Sequence, residues 1–477
     1  MLRQLSFNHI LIKNKMFSKK NLILSLSSGL MIGLAFPPFN LSFFAYFFLI
    51  PLLIILYSEE NLKIKIFYFY FASFISNAII THWVAQNSGT SITTAFISYI
   101  ALCIYYSSFW IIFVVIFHFI EKQFNLKSLS FLIIPILWIF STEMIRDIGP
   151  LAGPWINLSL TQSSFARLIQ VLNINSYLIT FFLIYSNLCF YNYYISKQKK
   201  FLAYFISLLA TILIFGEIKI NNYNAKEFTN ELKISIGQPV IYPNEKWDPL
   251  LRNRNNKIMS DLLYDSLSSS PDLIVWPEAA LIYQLAKDGS VQRQNLQSHL
   301  GESFLITGIP QRITMDGKLK SYNSAIFMNS DGFYDTYQKI FLVPFAEYVP
   351  FFKNWITKMN QFDDLGSFSK GNDYKTFKIN SNLISIMICY DSSSHKLAKK
   401  MVEKGAEILF IITNDSYVGK AMPYQHFEHA KLRAVELGVP VVQSANNGIS
   451  GIILPSGEVV LKSEIDQRGV FNYNIKF

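Results

Sequence analysis

Three short stretches in the second half of the chain carry a carboxylate, an amine and a thiol, each at or near the end of an apolar run. They are Glu278 in Val275-Trp276-Pro277-Glu278, Lys339 in Tyr337-Gln338-Lys339-Ile340-Phe341-Leu342-Val343-Pro344-Phe345, and Cys389 in Ile388-Cys389-Tyr390-Asp391. The thiolate is the reactive form of cysteine, and a free thiol with a pKa near ~8.5 is mostly protonated at neutral pH. Attack on an acyl carbonyl therefore needs a base that takes the thiol proton and later delivers it to the leaving group, which a carboxylate can do. The developing oxyanion needs a cation or N–H donors, worth about 3–4 kcal/mol each. Singly, each residue has a plainer reading: a surface Glu after a turn, a Lys at an exposed strand start, a Cys packed as a small hydrophobe. Together they make an activated-cysteine acyl-transfer site that needs no histidine. His426 and His429 are three apart on an expected helix, but no third ligand is spaced to join them, so they read as structural or substrate-side and no metal is expected.

The elements that must hold these residues follow from the apolar pattern. From about 231 onward short apolar runs recur: Leu232–Ile236, Leu273–Val275, Phe304–Thr307, Ser324–Met328, Leu383–Ile388, Ile408–Thr413, Val439–Ser444 and Ile449–Leu454. Helical stretches are expected near 249–269, 395–404 and 424–438. Strand-length runs with helices between them predict a layered α/β domain. Glu278 and Cys389 each follow a predicted strand, where layered α/β folds place ligand chemistry.

The first half has a different composition. Residues 1–216 hold 14 Lys+Arg and 5 Asp+Glu, and residues 217–477 hold 28 and 27. Charged residues are 16% of the whole chain, well below the ~25% of ordinary soluble domains. Seven apolar runs, about 21–36, 41–57, 66–86, 91–120, 129–145, 172–195 and 201–217, predict about seven membrane-spanning helices. Twelve of the fourteen basic residues lie in the N-terminal arm and the even-numbered breaks, which predicts a cytoplasmic N-terminus and a second half on the opposite face. A nucleic-acid partner is not expected, because the soluble half has no net basic excess. Cys103 and Cys189 lie inside apolar runs, and no disulfide framework or CxxC pattern is present. The polar loop 146–171 is too polar to span. It reads either as an interfacial ion pair, Glu143 with Arg146, or as a re-entrant element lining a lipid head-group site.

Glu278, Lys339 and Cys389 resemble the Glu-Lys-Cys triad of the nitrilase, or carbon–nitrogen hydrolase, superfamily. With the apolar half, the chain resembles the apolipoprotein N-acyltransferase family over nearly its whole length. The markers include Gly33-Leu34-Ala35-Phe36-Pro37-Pro38-Phe39, Gly153-Pro154-Trp155, Trp276-Pro277-Glu278, Leu342-Val343-Pro344-Phe345-Ala346-Glu347-Tyr348-Val349-Pro350, Thr413-Asn414-Asp415 and Gln425-His426-Phe427. The resemblance implies an N-terminal transmembrane bundle over 1–217 and a nitrilase-like αββα sandwich over 218–477. It implies Cys389 as nucleophile, Glu278 as general base, and Lys339 with the backbone N–H of Tyr390 around the oxyanion. Glu347 would be a second carboxylate orienting Lys339, and Trp247 with the arm Phe351, Phe352, Trp355 and Met359 would contact acyl chains. No cofactor is implied.

The activity implied is acyl transfer from a phospholipid, through a cysteine thioester, to the amino terminus of diacylglyceryl-cysteine in an apolipoprotein. The implied setting is a bacterial inner membrane with the catalytic domain in the periplasm. Asp391 stands where the resemblance leads one to expect Glu, a loss of about 1.5 Å of reach, and the chain ends at Phe477 where the family has a further span. A membrane-tethered amidase or nitrilase acting on small amides, and a scaffold that binds lipoprotein without turnover, are the competing readings.

Overall fold

The computed structural model describes residues 18–123, 130–315, 317–351 and 368–477. Their contacts divide the chain into two units. One comprises the described residues up to His82 with Phe96–Asp147 and Thr180–Ala210; the other comprises Trp83–Ala95, Ile148–Ile179 and Thr211–Phe477.

Each of the seven apolar runs forms helix, but they are not equivalent. Leu62–Ile80, Ile92–Gln123, Leu178–Ser196 and Lys200–Asn224 are long and apolar enough to cross a membrane. Of the about seven spans expected, four helices among the described residues are long and apolar enough to cross. The other three runs are shortened for local reasons. The helix Lys19–Ala35 stops ahead of Pro37-Pro38, and proline cannot continue a helix. The second run breaks into a 3₁₀ turn, Ser42–Tyr46, and a nine-residue helix, Ile50–Ser58. The fifth carries Pro135 inside Ser130–Ile139 and ends in a π turn, Phe140–Met144.

The second unit holds two six-stranded sheets. The first contains β1 (Glu231–Gln238), β2 (Leu273–Val275), β3 (Phe304–Met315), β4 (Lys318–Met328), β5 (Tyr334–Gln338) and, returning beside β1, β12 (Gly469–Lys476). The second contains β6 (Phe377–Ile379), β7 (Asn382–Ile388), β8 (Ile408–Thr413), β9 (Val441–Ala445), β10 (Gly451–Ile453) and β11 (Val459–Lys462). At the centre of each, three strands run parallel: β1–β2–β3 and β7–β8–β9. The two-residue period of a strand sorts their side chains. Leu273 and Val275 join Leu232, Ile234, Ile236 and Phe327 in the apolar layer shared with Ile384, Ile386 and Ile388. Ile274 faces the other way, into a cluster with Met259, Leu262 and Leu263 of helix Arg252–Leu267. Helices His395–Glu403 and Ala421–Leu437 pack on the second sheet through Leu397, Met401, Phe427 and Ala430. The layers run helix, sheet, sheet, helix.

Candidate active site

The register of the parallel strands brings the reactive residues to one end of the sandwich. Ile388 pairs with Ile412 and Thr413 with Ala445, so Cys389, Asn414 and Asn446 all leave their strands together. Cys389 has φ +47°, a left-handed conformation that a non-glycine residue adopts at a cost. The turn is fixed by Asp391, which is fully buried. Its carboxylate accepts from the backbone N–H groups of Phe341 (2.7 Å) and Ile388 (3.0 Å) and from the Tyr337 hydroxyl (2.9 Å). The shorter side chain thus reaches three donors, two of them outside its own turn, and braces the elbow from behind.

Glu278 is carried by the loop after β2. That loop lies against β3, where Gly308 N–H donates to Pro277 O at 3.0 Å. A Cβ on Gly308 would stand 2.3 Å from Ala279 N and 2.6 Å from Glu278 Cα, so only glycine permits this approach. Glu278 Oε1 accepts from Asn323 Nδ2 at 2.6 Å and Oε2 from Asn414 N–H at 2.9 Å. Lys339 follows β5 and is buried. Its backbone N–H donates to Asn323 O (2.9 Å) and its carbonyl accepts from Gly371 N–H (2.8 Å). Its Nζ lies 2.8 Å from Glu347 Oε1 and 3.7 Å from Glu278 Oε1. Glu347 also accepts from Asn323 Nδ2 at 2.9 Å and from Val343 N–H at 2.8 Å.

The charges act on one another. Burial alone pulls the Lys339 pKa down, but Glu347 and then Glu278 outweigh it, and the ammonium is held well above the ordinary lysine value. Burial, then Glu278, push the Cys389 thiol well above its ordinary range, against pulls from Lys339 and a hydrogen bond with Thr413. The resting thiol therefore holds its proton at neutral pH.

A second network lies behind the elbow. His426 Nδ1 is 3.0 Å from Asp415 Oδ1, and His426 Nε2 is 2.9 Å from Ser392 Oγ and 3.2 Å from Cys389 O. Thr413 Oγ1 donates to Asp415 Oδ1 at 2.7 Å. Donor atoms of Cys389, Asp415 and His426 all lie within 4.8 Å of one another. Both imidazole nitrogens are engaged inside this network, which makes it a brace for the turn. Tyr390 is held between Phe341 (centroids 5.1 Å apart, 10°) and Trp155 (5.9 Å, 21°). Trp155 is buried, and its Nε1 donates to Gln425 Oε1 at 2.7 Å. The loop expected at a membrane interface is therefore, around Trp155, a wall against Tyr390, and Glu143 and Arg146 are buried as well.

Trp247 is 56% exposed, with Nε1 3.3 Å from the Tyr417 hydroxyl, and Phe351 is 45% exposed. Phe352, Trp355 and Met359 lie outside the described residues. Asn323, which bridges both carboxylates, is not signalled by any motif; it is one polar residue in a strand. Asp415 and Asn414 are signalled only as a marker triplet.

Asp391 makes a direct pH prediction. Burial raises its pKa to about 6 against the pull of Lys339 and its hydrogen bonds, whereas an unfolded Asp titrates near ~3.9. Between these values the native chain binds more protons, so the group's contribution to stability falls as pH rises from about 4 to 6. Asp391→Ala leaves three donors without their acceptor, at about 1–3 kcal/mol each. In chemical denaturation of the detergent-solubilised protein, the deficit of the variant is expected at every pH. It should be larger at pH 4 than at pH 7, by about 3 kcal/mol.

A two-sheet α/β sandwich with Cys, Glu and Lys gathered at its strand ends is the carbon–nitrogen hydrolase class, and residues 262–476 match the Carbon-nitrogen hydrolase family model. Residues 28–189 match the model of the Apolipoprotein N-acyltransferase N-terminal domain. A Rickettsia typhi protein named apolipoprotein N-acyltransferase is 30% identical over 345 residues, covering 70% of this chain and 68% of that protein. One of the same name from Aquifex aeolicus is 25% identical over 460 residues, covering 95% and 98%. Among solved structures, a Saccharomyces cerevisiae member of branch 10 of the nitrilase superfamily superposes with a TM-score of 0.41 at 18% identity, over 53% of this chain and 92% of that one. The chain belongs to the apolipoprotein N-acyltransferase family.

Proposed function

We propose that this chain moves an acyl chain from a phospholipid, through a thioester on Cys389, to the α-amino group of the diacylglyceryl-cysteine that begins an apolipoprotein. As the Cys389 sulfur attacks the ester carbonyl, Glu278 takes the thiol proton. Lys339 and the backbone N–H of Tyr390 receive the oxyanion. Collapse breaks the C–O bond, and Glu278 returns the proton to the departing lysophospholipid oxygen. The acceptor amine then attacks the thioester, gives its proton to Glu278, and Cys389 leaves as thiolate and is reprotonated. Glu347 holds Lys339 in place, and Trp247 and Phe351 contact acyl chains.

The observation that carries this reading is the half-buried Cys389 thiol, which feels the charges of both Glu278 and Lys339, in a chain with four apolar helices of spanning length among the described residues. The further apolar helices complete the crossings. Residues 218–477 work on the outer face of a bacterial inner membrane, where both lipid and lipoprotein reside. A soluble amidase has no use for such helices.

Incubation with a phospholipid labelled in its acyl chains tests it. A labelled thioester on the Cys389 peptide should appear with an equimolar amount of lysophospholipid, and a diacylglyceryl-cysteine peptide should discharge it as an amide. Label leaving as free fatty acid, with the peptide acceptor ignored, would establish the hydrolase instead.

A further inference from the structure

Lys246 ends the short helix Pro243–Lys246 and is 5% exposed. Its Nζ has no hydrogen-bond partner among the described residues. The carboxylate whose charge it feels, Glu278, has both oxygens occupied by Asn323, Lys339 and Asn414 N–H. Burial dominates that attraction and lowers the Lys246 pKa to about 8. An ammonium removed from water without a partner is costly, and a fold keeps one where a ligand supplies the counter-charge.

Lys246 is one of the residues that line a small, open cleft, with its Nζ buried beneath the surface. Arg252, Asn255, Asn256 and Met259 form one wall, at the spacing of a single helix face. Asn256 Oδ1 accepts from the Tyr283 hydroxyl at 2.9 Å, which leaves its NH₂ as a donor. The opposite wall, Ala280–Tyr283, continues directly from Glu278. Glu245, the other nearby acid in sequence, is paired with Arg254 at 3.1 Å. The chain leaving Lys246 exposes Trp247 and then Leu250, which is 91% exposed. Two cations and an amide, flanked by exposed apolar side chains, suit an anion that is part of an amphiphile.

We propose that this cleft binds the phosphodiester group of the acyl donor, with Lys246 and Arg252 meeting its oxygens while an ester of the same lipid reaches Cys389. The inference rests on the phospholipid-donor reading. Lys246 also offsets the repulsion between the phosphodiester and Glu278.

The test compares thioester formation on the full-length protein from a phosphatidylglycerol donor and from diacylglycerol, an ester with the same chains and no phosphate. Lys246→Met is expected to lower the ratio of kcat/KM for the two donors at least about tenfold, mainly through KM, as loss of a charged hydrogen bond implies. Lys246→Arg should keep most of the preference. An equal fall on both donors, or no change in the ratio, would make Lys246 a prop for Glu278 and overturn the proposal. Inorganic phosphate that binds through Lys246 without competing with phosphatidylglycerol would show a free-ion site and also overturn it. Native mass spectrometry of donor binding reads the same ratio without turnover. Phosphodiester binding through Lys246 in a chain that forms no thioester would uphold the cleft and sink the acyl-transfer reading.

Discussion

Cys389→Ala is expected to abolish acyl transfer, by more than about 10⁴-fold, while leaving the fold in place. The sulfur carries the chemistry and little of the structure. Cys389 is half-buried, its side chain meets the Thr413 hydroxyl, and the turn around it is held by the Asp391 carboxylate and by His426 on the Cys389 carbonyl. Alanine keeps the same Cβ at φ +47°, so the backbone cost is unchanged. The measurement is lysophospholipid release and the mass of the Cys389 peptide after exposure to donor lipid, with denaturation of the same sample as control. Transfer above about one per cent of wild type would mean that another group carries the acyl chain, and the assignment of the thiol would fail. Cys389→Ser should be nearly as inactive, because a hydroxyl gives up its proton far less readily than a thiol. Cys103 and Cys189, both buried in apolar helices, should stay unlabelled throughout.

What the sequence revealed of this site followed a simple physical division. Residues that end apolar strands were legible, because the strand itself is a run of β-branched and apolar side chains. Leu273–Val275 and Ile408–Thr413 have the bounds expected of them, and Leu383–Ile388 differs by one residue. Glu278 and Cys389 come with those strands. The edge strands were not legible. Tyr334–Gln338, Phe377–Ile379 and Gly469–Lys476 bury only part of their length, so their polar residues carry no run to read. Lys339 follows such a strand, and only its apolar successors drew attention to it. Asn323 sits in mid-strand, and its role depends on a cross-sheet meeting of Glu278 and Glu347 that no local pattern encodes. Asp391 shows the converse. A sequence comparison marks it as a shortened acid with less reach, but it reaches backward to Phe341 and Tyr337, where length toward the substrate is irrelevant.

The same division explains the apolar half. Apolar content alone predicts a span wherever about twenty such residues collect. It is silent on where the backbone turns. Pro37-Pro38 follows the end of Lys19–Ala35, and Pro135 lies inside Ser130–Ile139, two of the helices that stay shorter than the four of spanning length.

Lys339→Met is expected to cost both activity and stability, and the two losses have one origin. In the wild type, Glu278 Oε1 and Glu347 Oε1 share the Asn323 amide, at 2.6 and 2.9 Å, and face a single buried ammonium. Because the Lys339 pKa is raised, its stabilising contribution is fully present below the ordinary lysine pKa and is lost only as pH climbs through the folded-state value. Wild-type stability should therefore owe nothing to Lys339 titration between pH 5 and 9. Methionine fills much of the volume but removes the charge, leaving two carboxylates side by side in a buried site. Breaking a buried pair in this way costs about 3–5 kcal/mol, and like charges this close raise a carboxylate pKa. The sign then follows: the variant's carboxyl keeps its proton longer in the fold than in the unfolded chain, so its stability deficit against wild type should grow as pH rises from about 4 to 7. Loss of the cation beside the oxyanion removes about 10²–10³-fold in thioester formation, and displacement of Glu278 adds to it. Lys339→Arg separates the two effects. It restores charge and most of the stability, but its planar fork cannot reproduce a single-point contact 2.8 Å from Glu347, so turnover should remain low. Equal stability of Lys339→Met and wild type across that pH range would show that the carboxylates do not depend on this ammonium, and with it would go the oxyanion role assigned to Lys339.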